Sequence, residues 1–202
     1  MKYALGLIVI AVLWFVFYSP SNKWHLVNSE PRGKTIVAFG DSLTEGYGAA
    51  SGESYPARLS ILVGEDVINA GVSGNTTTQA LRRVQSDVID HQPRMVLITL
   101  GGNDMIQKLP IEESINSLRS IFATVQASGA LVIYGAIDPP LVRQDRLKQI
   151  RELCKEMGVL YVPDVMDELW NDTKKMSDTI HPNGEGYKVM AERFHLAIKE
   201  YL

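Results

Sequence analysis

A serine and a histidine, each with an aspartate at close range, are the residues of this sequence best placed to do chemistry. Ser42 follows an apolar run in Phe39-Gly40-Asp41-Ser42-Leu43-Thr44-Glu45-Gly46-Tyr47-Gly48, and His181 lies far downstream in Asp178-Thr179-Ile180-His181-Pro182. A serine hydroxyl is a weak nucleophile until a base takes its proton, and an imidazole does so best when a carboxylate fixes its tautomer. The sequence has four histidines. His25 stands in a Pro/Asn-rich stretch, His91 ends a helical pattern, and His195 lies on the C-terminal helical pattern. Only His181 has a carboxylate at a short, loop-compatible spacing, which makes it the base and Asp178 its partner. Asp41 is the rival carboxylate. A residue adjacent to the serine points its side chain elsewhere, so Asp41 is assigned to bracing the turn. Read alone, Asp41-Ser42 after a strand would serve equally well as a helix N-cap.

Four segments in order give these residues a context. They are Gly40-Asp41-Ser42-Leu43, Asn69-Ala70-Gly71-Val72-Ser73-Gly74-Asn75-Thr76-Thr77, Gly101-Gly102-Asn103-Asp104 and Asp178-Thr179-Ile180-His181-Pro182. Together they resemble the GDSL esterase family, also called SGNH hydrolases, and most of all its bacterial lysophospholipase/arylesterase/acyl-thioesterase branch. The resemblance runs from Thr35 to the C-terminus. It implies a three-layer α/β/α, flavodoxin-like fold. It also implies a cofactor-independent serine esterase that acts through an acyl-enzyme on carboxylic esters or thioesters: small aryl or alkyl esters, lysophospholipids or acyl thioesters. Three oxyanion donors come with it: the Ser42 N–H, the Gly74 N–H and the Asn103 side-chain amide. Such donors contribute about 3–4 kcal/mol each to the transition state. Asn103, as a neutral amide, can donate but cannot act as base.

Thr44, Asn75 and Asp104, with Asn69, Thr76 and Thr77, are read as hydrogen-bonding support around these groups. The same four segments also serve cell-envelope carbohydrate O-acetylesterases, which is the alternative enzyme reading. An alternative of another class is a membrane-tethered binding domain that kept the fold without turnover. The intact set of Ser42, Gly74, Asn103, Asp178 and His181 stands against it.

The elements that must position these residues follow from periodicity. Thr35-Ile36-Val37-Ala38-Phe39, Asp66–Asn69, Met95–Leu100, Leu131–Tyr134 and Leu160–Val162 are short apolar runs, which predicts five buried strands. Between them, apolar residues recur at helical spacing in Leu81, Val84 and Val88, and in Ile111, Ile115, Leu118, Phe122 and Val125. Tyr187, Met190, Phe194, Ile198 and Leu202 repeat it at the C-terminus. Apolar strands alternating with amphipathic helices predict a parallel sheet of about five strands covered on both faces. Ligands bind such sheets beyond the carboxyl ends of the strands. Ser42, the Gly71–Gly74 loop and Asn103 all fall on that edge. The segment Gly135–Leu141, after the fourth strand, is expected to wall an acyl pocket, with apolar residues suited to an acyl chain.

Composition bounds the remaining possibilities. The 202 residues suit one hydrolase domain over residues 34–202, preceded by a tether over 19–33 and an N-terminal hydrophobic segment over 1–18. The net charge of −3 and the lack of a basic cluster argue against nucleic acid as a partner. The single Cys154 cannot form an internal disulfide and reads as a packed thiol on a helix. No His/Cys/carboxylate cluster suggests a metal, no phosphate loop or dinucleotide fingerprint is present, and no Gly-x-Ser-x-Gly elbow points to the common α/β-hydrolase fold. Tyr3–Tyr18 runs sixteen residues without a charge, near the ~17-residue lower limit for a membrane span. With no small-x-small cleavage site after it, it reads as an uncleaved signal-anchor, a cleaved signal peptide being the alternative. Lysines flank it on both sides, so charge does not orient it. Resemblance to exported esterases places the catalytic domain on the extracytoplasmic, periplasmic side. The sequence assigns no oligomeric state.

Overall fold

The computed structural model describes residues 24–139 and 144–202. The hydrophobic segment, the first part of the tether, and Pro140 and Leu141 of the expected pocket wall lie outside the described residues. Among the described residues no helix is long and apolar enough to cross a membrane.

Five strands appear where the apolar runs predict them: β1 (Thr35–Gly40), β2 (Val67–Gly71), β3 (Pro93–Thr99), β4 (Leu131–Gly135) and β5 (Leu160–Val162). All pair in parallel, in the order β2-β1-β3-β4-β5. Seven helices accompany them among the described residues. They are α1 (Ser42–Glu45), α2 (Tyr55–Val63), α3 (Thr77–Asp87), α4 (Gly102–Ile106), α5 (Ile111–Ala127), α6 (Gln144–Met157) and α7 (Gly184–Ile198). Successive strand residues point to opposite faces of the sheet, so each strand feeds two cores. Ile36, Ala38, Met95, Leu97 and Ile133 pack with Tyr55 and Leu59 of α2 and with Tyr187, Met190 and Phe194 of α7. Val37, Phe39, Val96, Ile98 and Val132 pack with Val84 of α3, Phe122 of α5 and Leu153 of α6. This is a three-layer α/β/α sandwich with the sheet buried on both sides.

Two readings need correction. Leu202 does not extend the apolar stripe of α7. The helix stops at Ile198, Tyr201 turns back with its N–H on the Ile198 carbonyl, and Tyr201 takes the place against the core. Leu202 is left exposed. Second, the part of the tether that is described is not free of the domain. The Trp24 indole donates to the Val159 carbonyl, and the Asn28 amide donates to the carbonyls of Gln126 and Ala130. The N–H groups of Val27, Arg32 and Lys34 bond to Gly158, Gly129 and Gln92, just before β5, β4 and β3. Residues 24–34 therefore run along the amino edge of the sheet, opposite the edge that carries Ser42.

Cys154 is fully buried in the second core, and burial pushes its thiol pKa up. It packs as a small apolar side chain.

The end of β1 admits no side chain. A Cβ on Gly40 would lie 2.1 Å from the Thr44 hydroxyl and 2.6 Å from the Thr99 carbonyl oxygen. Gly40→Ala is expected to destabilise the fold by about 1–3 kcal/mol, the range for overpacking. Thermal unfolding checks this, and an unchanged midpoint contradicts it.

Candidate active site

The carboxyl edge of the sheet collects the residues singled out above. Ser42 opens α1 directly after β1, Gly74 lies between β2 and α3, and Asn103 sits in the first turn of α4 after β3. Asp178 and His181 come from the loop between β5 and α7. The Ser42 Oγ lies 3.0 Å from His181 Nε2, and His181 Nδ1 lies 2.8 Å from Asp178 Oδ2. An ionised carboxylate only accepts, so Nδ1 carries the proton and Nε2 faces the serine as an acceptor. The arrangement can therefore draw the hydroxyl proton onto the imidazole.

Local structure holds each partner. Asp178 Oδ1 accepts the N–H groups of Ile180 and His181, both at 2.7 Å, which leaves Oδ2 for the ring. The loop is pinned at its base by the Ser177 N–H on the His181 carbonyl and by a bridge between Met176 and Pro182. Burial pushes the Asp178 carboxyl up, but the His181 backbone and ring, the Ile180 N–H and the imidazole charge outweigh it and hold the pKa at about 2. The Tyr47 ring stands 4.6 Å from the imidazole, centroid to centroid, on its other side.

On the serine side, the N-cap of α1 is Asp41 rather than Ser42. Its Oδ1 accepts the Leu43 N–H at 3.1 Å, the bracing role assigned to it. Its Oδ2 accepts from Asn103 Nδ2 at 3.2 Å, a contact the sequence reading did not foresee. Burial raises the Asp41 pKa to about 6 against the lowering effect of the Leu43 N–H and the His181 charge.

The Asn103 amide also donates to the Asn75 carbonyl at 3.1 Å. With both hydrogens engaged, Asn103 can serve an oxyanion only by sharing or turning one of them. Gly74 is exposed, with φ at +79°, the left-handed region that a side chain disfavours, and a Cβ there would meet nothing within 4 Å. Glycine at this position is thus set by backbone conformation rather than by crowding.

The supporting residues fall into place around these. Thr44 bonds the hydroxyls of Tyr55 and Thr99. Buried Asp104 accepts from the Thr77 N–H and hydroxyl and from Ser114, tying α4 to α3 and α5. Thr76 forms a capping box with Gln79 at the start of α3. The Asn69 side chain accepts the Gly71 N–H and donates to the Glu45 carbonyl.

Tyr187, Glu45 and Tyr47 carry work that the sequence reading did not assign. The Tyr187 hydroxyl donates to the Tyr47 carbonyl at 2.8 Å, locking the Ser42 turn to α7. Glu45 accepts both the N–H and the hydroxyl of Ser73, holding the Gly74 loop to α1. Tyr187 was visible as a helix-stripe residue, but its hydroxyl partner was not.

Ser42 and His181 open onto a cavity of about 470 Å³. Its walls are largely apolar, from Leu100, Met105, Ile137, Leu147, Ile150 and Trp170. Ile137 and Pro139 bring the segment after β4 to this wall, as expected from sequence. Among the described residues no group of His, Cys, Asp and Glu is arranged to hold a metal ion.

Residues 38–189 match the model of the GDSL-like Lipase/Acylhydrolase family. The chain is 32% identical over 166 residues to "Thioesterase 1/protease 1/lysophospholipase L1" of Escherichia coli, spanning 78% of this chain and 80% of that protein. It is 29% identical over 168 residues to an arylesterase of Vibrio mimicus, spanning 78% and 84%. Among solved structures, a putative lipolytic protein of the G-D-S-L family from Desulfitobacterium hafniense superposes with a TM-score of 0.71. It is 26% identical, over 81% of this chain and 98% of that one.

The Asp41–Asn103 contact makes a prediction about pH. The bond is charge-assisted only while Asp41 is ionised, and its pKa of about 6 means that ionisation is lost as pH falls through 6. Ester hydrolysis should thus lose kcat/KM as Asp41 takes up its proton on acidification through pH 6. In Asp41→Asn the loss centred near pH 6 should be absent and the acid limb correspondingly shallower, with a neutral-pH kcat lower by roughly tenfold, part of what a whole oxyanion donor contributes. A pH–rate profile of equal steepness in both proteins contradicts this.

Proposed function

The chain belongs to the GDSL-like lipase/acylhydrolase family and is a carboxylic ester hydrolase, and on that premise we propose that it works through an acyl-enzyme on Ser42. The Ser42 oxygen attacks the acyl carbon while its proton passes to His181 Nε2. Asp178 holds the ring by its Nδ1 proton and stabilises the imidazolium that results. The oxyanion is received by the N–H groups of Ser42 and Gly74 and by the Asn103 amide, one hydrogen of which turns from its resting acceptor. The imidazolium then gives its proton to the departing oxygen or sulfur, and the carbon–heteroatom bond breaks. A water attacks the acyl-enzyme by the same route, with His181 again the base, and frees the acid and the serine. The observation that carries this reading is the unbroken relay from Ser42 Oγ to His181 at 3.0 Å and on to Asp178 at 2.8 Å.

The substrate class proposed is acyl esters or thioesters with an acyl chain of several carbons. The support is the apolar cavity opening from Ser42, whose size is that of a small-molecule site. A bare acetyl group would leave most of that surface uncovered, which sets this reading above the sugar-acetate alternative. The thioesterase/lysophospholipase and arylesterase relatives are consistent with it.

Purified Ser42→Ala should lose ester hydrolysis entirely while unfolding at the wild-type temperature, since the hydroxyl fills no core. An alkyl phosphonate with a p-nitrophenyl ester should phosphonylate Ser42 in the wild type with release of p-nitrophenol, seen by peptide mass mapping. Activity in the variant, or labelling of Ser73 instead, refutes the assignment.

p-Nitrophenyl esters from two to sixteen carbons test the substrate class. Rates should climb from the acetate to chains of intermediate length. A profile that peaks at acetate, together with turnover of an acetylated sugar, would replace this reading by the carbohydrate one.

A further inference from the structure

The three proposed oxyanion donors stand after three different strands, and acyl transfer tolerates little error in their relative placement. One side chain spans the segments that carry them. Arg83 reaches from α3 to the carboxyl edge of the sheet, where its Nη2 donates to the Gly40 carbonyl at 2.7 Å. Its Nη1 donates to the Ala70 carbonyl at 2.8 Å, and its Nε to the side-chain oxygen of Asn75 at 2.7 Å. Asp87, one turn along the same helix, supplies a counter-charge at 2.9 Å. The guanidinium lies 4.4 Å from the centroid of the Phe39 ring, and the side chain is only 15% exposed.

Each acceptor leads to a donor. Gly40 stands two residues before Ser42. Asn75 follows Gly74, and its own carbonyl accepts from the Asn103 amide at 3.1 Å. Capping the sheet edge alone would need only the two strand carbonyls, a task open to water. The bond to Asn75 adds nothing to the sheet and joins the Gly74 loop to the ends of β1 and β2. Lysine, a point charge on a flexible stem, has no planar fork with which to hold three acceptors in fixed directions.

We propose that Arg83 is the positioning residue of the oxyanion site, setting the Ser42 turn, the Gly74 loop and, through Asn75, the Asn103 amide in register. The inference rests on the reading of Ser42 as nucleophile. Asn75 is then the link through which Arg83 acts on Asn103, and both residues contribute to kcat without touching the acyl chain.

The test uses Arg83→Lys, Asn75→Ala and Asn103→Ala in the full chain, with Asn75→Ala also combined with Asn103→Ala. Asn75→Ala leaves the Arg83 charge and both strand carbonyl contacts in place, and so decides the matter if Arg83→Lys folds poorly. Expected is a kcat lower by roughly tenfold or more in each single variant, up to the about 10²–10³-fold that outright loss of an oxyanion donor produces. KM should change less than about twofold, because uniform binding is untouched. In the Asn103→Ala background, Asn75→Ala should cost much less than it does alone, the non-additivity of residues acting through one group. Wild-type kcat in both Arg83→Lys and Asn75→Ala, or a loss confined to KM, or full multiplication of the Asn75 and Asn103 effects, each overturns the inference. Ser42→Ala assayed alongside separates the two levels: hydrolysis by that variant refutes the nucleophile reading. An inactive Ser42→Ala beside fully active Arg83→Lys and Asn75→Ala refutes the positioning role alone.

Discussion

Gly40 ends β1 in a space where the Thr44 hydroxyl and the Thr99 carbonyl leave no room for even a methyl group. The rest of the site follows from that crowding. Because α1 can fold back tightly over the strand end, Thr44 is buried against Thr99 and Tyr55, and Ser42 is carried to the mouth of the sheet. Gly71 on β2 repeats the device: a Cβ there would lie 2.1 Å from the Glu45 backbone nitrogen. Two strand ends thus accept the same short helix between them. The inner side of the turn is thus set by packing, while hydrogen bonds from Tyr187, Ser73 and Arg83 hold its outer side.

Two aspartates near one imidazole are driven in opposite directions, and the environments explain which does what. Asp41 is buried, and the cost of keeping its charge there dominates, so its pKa rises to about 6. Asp178 sits in an exposed loop wrapped by N–H donors, and these win over desolvation to hold it at about 2. A carboxylate that must stay charged beside a developing imidazolium belongs in the second setting. The first setting suits a group that orients an amide. Sequence adjacency gave the same division by a cruder argument, that a neighbour of the serine faces away from it. The structure supplies the cause, since both Asp41 oxygens are turned to Leu43 and Asn103.

Most of the fold was legible because its signals are periodic. β1, β3 and β4 are nearly continuous apolar runs, since both their faces are covered, whereas the edge strand β2 is shorter and carries exposed Asn69; α3, α5 and α7 show their buried stripes plainly. The short α1 and α4 were not visible, as neither is long enough to complete a repeat, and α2, whose nine residues bury only Tyr55, Pro56 and Leu59, was not read as a helix. The candidate site was legible where residues are unusual for their place, as with a histidine and an aspartate in one loop or a serine after a strand-ending glycine. The missed contacts share one character: long side chains whose polar tips act far from their own backbone. Tyr187 reads as core because its ring is core, and only its hydroxyl reaches Tyr47. Arg83 sits in an Arg82-Arg83 pair that looks like a solvated helix face, yet its fork meets three acceptors across the sheet edge. Such contacts depend on how a helix is rolled against the sheet, which no local pattern records. Leu202 failed for the converse reason, because a periodic stripe continues in sequence after the helix that gave it meaning has ended.

The chemistry and the cavity are built from different parts of the sheet, with consequences for how such a site can change. The nucleophile turn and the Gly74 loop arise after β1 and β2, on one half of the strand order. The apolar walls come chiefly from the segments after β3 and β4 and from α6, with Ile137, Leu147 and Ile150 among them. Asn103 and His181 lie where the two halves meet. Asn103 is bound by Asp41 and Asn75, while Met105 and Ile106, in the same short helix, line the cavity. A change in Ile137, Leu147 or Ile150 can therefore reshape the cavity without moving the hydrogen bonds among Ser42, His181 and Asp178, whereas Ile180, which also lines it, gives its N–H to Asp178. Displacing α4 to enlarge the cavity would carry Asn103 with it, and moving the wall formed by Thr179, Ile180 and His181 would shift the imidazole against Ser42.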